Sequence, residues 1–121
     1  MKNKKINILG TEYTIETHKI SEDEILMQNQ WCGYCAEEEH IIVVADMSEK
    51  KYVDIDGEQA QRSFWNKTLR HEIIHAFLNE SGLSASAHVP TESWAKNEEM
   101  VDWLAIQLPK IYKAFLELEI L

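Results

Sequence analysis

One stretch of this chain is long, periodic and punctuated at both ends, and the rest must pack around it. Trp65, Leu69, Ile73, Ala76 and Phe77 recur at spacings of three and four, the repeat of a helix that buries one face. Asp56-Gly57-Glu58-Gln59 offers an acidic cap and first turn, and Gly82 stands where a left-handed C-terminal residue is wanted. The helix should therefore begin near Gly57 or Glu58 and end near Glu80 or Ser81. In a chain of 121 residues it leaves room for one core, and residues 1–121 read as a single domain.

Composition narrows the function. Hydrophobic residues at 45% and charged residues at 27% suit a packed domain. A formal charge of −9 disfavours phosphate backbones and anionic membranes, so neither nucleic acid nor membrane is expected as a partner. No apolar run approaches the ~20 residues that span a bilayer, and the basic start at Lys2, Lys4 and Lys5 leads into no apolar signal core. A cytoplasmic location is expected. Two cysteines three positions apart cannot staple distant segments, which fits a reducing compartment.

Around the long helix the pattern is mixed. Lys5 to Thr17 alternates through Ile6 and Ile8, turns at Gly10-Thr11 and alternates again through Tyr13 and Ile15, a β-hairpin. Ser21 with Glu24 has capping-box spacing for a short helix over residues 21–28. Residues 31–39, with Gly33 and three successive glutamates, read as a loop before the β-branched strand Ile41–Ala45. Lys50 to Ile55 is a brief extended piece. After Pro90, Thr91 or Ser93 can cap a second helix through Val101, Leu104, Ala105 and Leu108, which Pro109 kinks or restarts and Ile111, Tyr112, Phe115 and Leu118 continue. The fold class is α+β.

The chemistry lies in His71-Glu72-Ile73-Ile74-His75. Two histidines four apart stand on one helix face, so their ring nitrogens can converge on one zinc ion, and Glu72 projects beside it as a base. A shuffled chain of this composition shows the string with probability of roughly 0.03, so context must carry the reading. The second helix supplies that context. Glu98 offers a third ligand from a separate element, and Asp102, one turn on, can accept the other ring N–H of a ligand histidine. Glu99 is the rival of Glu98, but counting four back from Asp102 reaches Glu98.

This H-E-x-x-H with Glu98-x-x-x-Asp102 resembles the gluzincin metallopeptidase arrangement. The run from Leu69 to Ala76, with Glu98-x-x-Val101-Asp102-x-Leu104-Ala105-x-x-Leu108-Pro109, is similar to the ImmA/IrrE-type family of small bacterial and phage zincins. Val101 and Leu104 stand where that family carries Ala and Phe. The resemblance covers residues 68–109 and implies a minimal zincin fold, a small twisted antiparallel sheet packed on the active-site helix. It implies one zinc per chain held by His71, His75 and Glu98, with Asp102 behind them and Glu72 as general base towards a zinc-activated water. It further implies a peptidase with a specific protein substrate, phage or mobile-element encoded, that grips an extended peptide along an edge strand, for which Ile41–Ala45 is the candidate. An oxyanion donor would come from His88 or Tyr112.

Other readings of the same residues stay open. A zincin scaffold that binds zinc and a partner without cutting is the alternative, and Glu72 argues against it, since such a scaffold needs no base. Cys32-Gly33-Tyr34-Cys35 is a C-x-x-C that fits a redox dithiol, half of a second metal site with His18 and His40, or ordinary thiols. Trp31, Trp65, Trp94 and Trp103 read as core and lid packing, with Trp94 a candidate wall of the cleft.

Overall fold

A two-residue turn at Leu9-Gly10, both with positive φ (50° and 96°), reverses the chain between β1 (Lys4–Ile8) and β2 (Thr11–His18). Asn7 Oδ1 accepts from Gly10 N at 2.9 Å and holds the turn, one residue earlier than the sequence suggests. The computed structural model describes residues 3–48, 57–84 and 93–121. The extended piece expected at Lys50 to Ile55 and the residues around His88 and Pro90 lie outside them.

After β2 comes a 3-10 turn (Ile20–Glu22), then α1 (Glu24–Asn29). Asp23, not Ser21, caps α1, its side chain accepting from Leu26 N at 3.0 Å. β3 (Gly33–Ala36) and β4 (Ile41–Ala45) form a second hairpin. Strand β3 occupies part of what the sequence reads as a loop, because Gly33 and the glutamates after it mask a four-residue extended run.

The sheet has four strands in the order β1-β2-β4-β3. It is mixed, not antiparallel throughout: β4 runs parallel to β2, since the chain crosses through α1, lays β3 down on the outside and turns back. Strand β4 is therefore interior, and the expectation that Ile41–Ala45 is the edge strand is corrected. Ile42, Val43, Val44 and Ala45 are all buried, the continuous apolar run of a strand covered on both faces. Among the described residues the edge strands are β1 and β3.

Helix α2 (Glu58–Glu80) starts and ends where its sequence signals place it, with Gly82 at φ 89° just beyond. It packs on the sheet through Phe64, Trp65, Leu69, Ile73 and Ala76. Tyr13, fully buried on β2, donates to Glu80 Oε2 at 2.9 Å and accepts from Asn79 Nδ2 at 3.0 Å, which pins the end of α2 to the sheet. Helix α3 (Glu98–Glu117) is capped by Asn97, whose side chain accepts from Met100 N at 2.8 Å, so neither Thr91 nor Ser93 is the cap. Among the described residues no helix is long and apolar enough to cross a membrane.

Pro109 neither ends nor restarts α3. It lacks an N–H, so the carbonyl four residues back, at Ala105, has no helical donor. Arg70 fills that place, its Nε donating to Ala105 O at 2.6 Å from one position before His71. The proline thus becomes a fastening point between α2 and α3.

A second polar cluster ties β2 to α1 and β3. His18 Nδ1 meets Asp23 Oδ2 at 2.6 Å and its Nε2 meets Glu16 Oε1 at 2.8 Å, while Tyr34 donates to Asp23 at 2.8 Å. Burial opposes the charge on both partners, but the hydrogen bonds win: His18 is raised and Asp23 lowered.

Two predictions follow from these fastenings. Arg70→Leu should lower stability by about 1.5 to 3 kcal/mol in wild type and by clearly less in a Pro109→Ala background, where residue 109 regains a donor for Ala105; chemical denaturation of the four proteins of the cycle measures this. The His18–Asp23 contribution is complete with Asp23 ionised and His18 protonated. It fades as pH falls from the ordinary carboxylate range through the lowered Asp23 value, and as pH rises from about 6.5 through the raised His18 value. Thermal melts of His18→Gln against wild type across that range should differ most at weakly acid pH and converge in alkali.

Candidate metal centre

On α2 the residues Thr68, Glu72 and Ala76 form a buried stripe towards the sheet. His71 and His75, one position back from Glu72 and Ala76, turn towards the start of α3. Their Nε2 atoms stand 3.1 Å apart. Glu98, the first residue of α3, brings Oε1 to 2.7 Å from His75 Nε2 and Oε2 to 3.3 Å from His71 Nε2. On the far side of the ring, His71 Nδ1 meets Asp102 Oδ1 at 3.0 Å, a carboxylate acceptor that favours the tautomer with the proton on Nδ1 and the lone pair on Nε2.

Besides Asp102, two carboxylates approach the imidazoles, Glu98 and Glu72, and burial separates them. The Glu98 side chain is 70% exposed and caps the pair from the solvent side. Glu72 is 7% exposed, and one of its carboxylate oxygens lies with a ring nitrogen from each histidine inside a 4.8 Å group. Burial pushes the Glu72 carboxyl up to about 7, with His71 pulling it down and Glu98 pushing it further up. Burial also holds His75 below the ordinary imidazole value, against the pull of Glu98, so its nitrogen is available as a neutral ligand.

The donor set fits a divalent cation such as zinc. Bonds of about 2.0 to 2.1 Å in a tetrahedron separate neighbouring donors by about 3.3 Å. The two Nε2 atoms and the Glu98 oxygens are already 2.7 to 3.3 Å apart. Asp102 supplies the orienting partner that fixes the tautomer of His71. The identity of the ion is not fixed by these contacts.

The group lies in a cavity of about 590 Å³ between α2, the start of α3 and strand β3, lined also by Trp31, Cys32, Tyr34, Cys35, Phe64 and Lys67. Gly33 sets the closeness of that strand. A Cβ at position 33 would fall 2.9 Å from Thr68 Cγ2, 2.9 Å from the Val43 carbonyl and 3.5 Å from Glu72 Cγ. Only a glycine lets β3 lie this near the carboxylate.

The structure brings together His71, Glu72, His75, Glu98 and Asp102, all named by the sequence. It does not bring Tyr112, which is exposed and fourteen residues along α3 from Glu98, about 20 Å at 1.5 Å per residue. Tyr112 is thus removed as an oxyanion donor, and His88 lies outside the described residues. The tyrosine of the cavity is Tyr34, committed to Asp23. Trp31 walls the cleft and Trp65 packs on the core, whereas Trp94 and Trp103 are exposed.

The β3 residues and Lys67 are the part that sequence reasoning missed; the visible signal was the small, uncharged run Cys32 to Ala36 ahead of the glutamates. Its cysteines are not activated thiols. Burial raises Cys32, with Lys67 opposing, and pushes Cys35 up to about 12, helped by Glu72 and Glu37.

No family model, curated protein or solved structure matches this chain. The assignment of the site rests on its own geometry. Purified without chelator or affinity metal, wild type and Glu72→Gln should each carry a single zinc by plasma mass spectrometry, and His75→Ala and Glu98→Ala should lose it. Equal metal content in all four proteins would remove these side chains from the ligand set.

Proposed function

We propose that this chain is a zinc-dependent peptidase of the minimal zincin kind, acting on a specific protein substrate. The observation that carries the reading is a buried carboxyl, Glu72, facing the cavity beside two converged imidazoles. Such a group is costly to bury and contributes little to the fold, so a role in chemistry is the economical account of it.

His71, His75 and Glu98 would hold the ion, which supplies Lewis-acid polarisation of a carbonyl and eases deprotonation of water. The remaining steps belong to the chain. Glu72 takes a proton from the attacking water as its oxygen bonds to the scissile carbonyl carbon. The same carboxyl then returns that proton to the amide nitrogen as the C–N bond breaks, leaving a carboxylate and an amine. A carboxyl whose burial brings its pKa towards neutrality is suited to both transfers. Asp102 keeps His71 in one tautomer throughout.

The peptide would lie along β3 in place of the Ile41–Ala45 strand that the sequence suggests. Among the described residues strand β3 pairs with β4 alone and leaves its outer edge open, and it lines the cavity. An extended substrate can add to that edge with its carbonyl over the metal ligands.

The competing reading is a scaffold that binds zinc and a partner but cuts nothing. Zinc-loaded wild type and Glu72→Gln, incubated with a proteome-derived peptide mixture and read by mass spectrometry for new termini, separate the two. The peptidase reading expects cleavage by wild type and a fall of about 10²- to 10⁴-fold in Glu72→Gln with zinc retained. Bound zinc with no new termini in either sample supports the scaffold.

A further inference from the structure

The cavity is lined by four acidic residues and one lysine. Glu72, Glu98 and Asp102 gather round the imidazoles, and Glu37 stands on the β3 side. Lys67 lines the same cavity one helical turn before His71 on α2. Its Nζ sits 4.8 Å from the centre of the Phe64 ring. Among the described residues no carboxylate pairs with it, the ion pairs being taken by Lys5, His18, Arg62, His71 and His75.

Lys4, Lys19, Lys96, Lys110 and Lys113 likewise carry no ion pair among the described residues, but none of them lines the cavity, and Lys67 does. This one is half-buried over an aromatic ring, an interaction of about 0.5 to 2 kcal/mol that holds the ammonium in place without neutralising it. Cys32, just before β3, lines the same cavity. An anchored cation that no carboxylate pairs with among the described residues, placed in the cavity that the proposed substrate would enter, is a recognition element for an anion.

We propose that Lys67 is a specificity residue that selects peptides carrying a carboxylate one or two residues from the scissile bond, with Phe64 and Trp31 receiving the apolar part of that residue. This deepens, and rests on, the peptidase reading above. The four residues from Lys67 to His71 rise about 6 Å along α2, and an extended peptide rises about 3.3 Å per residue, which sets the separation. The carboxylate is either an Asp or Glu side chain or the terminus of the chain.

The test uses zinc-loaded wild type and Lys67→Glu on a positional library of quenched fluorogenic hexapeptides, prepared both as free acids and as amides. Wild type should cleave peptides with the carboxylate at one position at least tenfold faster in kcat/KM. Lys67→Glu should lose that preference and gain one for Lys or Arg there. Preference retained among amides identifies a side chain; preference confined to free acids identifies the terminus. Cleavage with the same profile in both proteins overturns the Lys67 inference and leaves the peptidase standing.

Calorimetric titration provides a readout independent of turnover. Zinc-loaded Glu72→Gln, alone and combined with Lys67→Met, is titrated with acidic hexapeptides and their Asn, Gln and amide counterparts. At least tenfold tighter binding of the acidic forms, lost with Lys67→Met, supports the lysine even if no library peptide is cut and the peptidase reading fails. Equal binding, or none, overturns it.

Discussion

The site depends on the register of α3 against α2. Glu98 and Asp102 are 70% and 59% exposed, so packing of their own side chains does not hold them in place. Their position comes from the helix that carries them. That helix is fixed where Arg70 donates to the Ala105 carbonyl and where Val101 and Met100 pack with Leu78, Ile74 and Ala95. A slide of one residue along α3 would move each carboxylate by about 1.5 Å and rotate it by about 100°. Either displacement exceeds the tolerance of a metal site, which explains why a charged hydrogen bond sits one residue from His71.

The other side of α2 carries an independent constraint. Burial of Glu72 requires something close above it, and the β3 backbone at Gly33 is what lies there. The strand is in turn held by Tyr34, whose hydroxyl reaches the Asp23 that also caps α1 and binds His18. A local polar cluster at the end of β2 therefore supports the environment of a carboxylate on another element. The sequence bears these parts far apart, and only the sheet order unites them.

That separation explains what was legible beforehand. The long helix, the first hairpin and the spacing of His71, Glu72, His75, Glu98 and Asp102 are local or helical patterns, and each follows from neighbours within a few residues. Strand order is different. Ile41 to Ala45 reads as a strand because of its β-branched run, but whether it lies inside or at the edge depends on the placement of β3, which a glycine and three glutamates disguise. The caps Asp23 and Asn97 were missed for a related reason. Each follows a 3-10 turn that delays the α-helix by a few residues beyond the first plausible capping side chain.

The two edges of the sheet are unlike. On β1 the exposed positions carry Lys4 and Lys5, charges that discourage a further strand from pairing there. On β3 the residues Gly33, Tyr34, Cys35 and Ala36 bear no charge, the strand is short, and its open side borders the cavity. An uncharged edge invites aggregation unless it is brief or covered, and here the strand is brief, half-buried and adjacent to the converged imidazoles. On the proposed peptidase reading, the same brevity limits how much affinity main-chain pairing would supply, because four residues offer few hydrogen bonds. Discrimination would then come from side-chain contacts in the cavity, where Trp31 and Phe64 offer apolar surface and Lys67 a charge. A short edge beside a charged, aromatic cleft favours selection of particular sequences over general binding of extended chains.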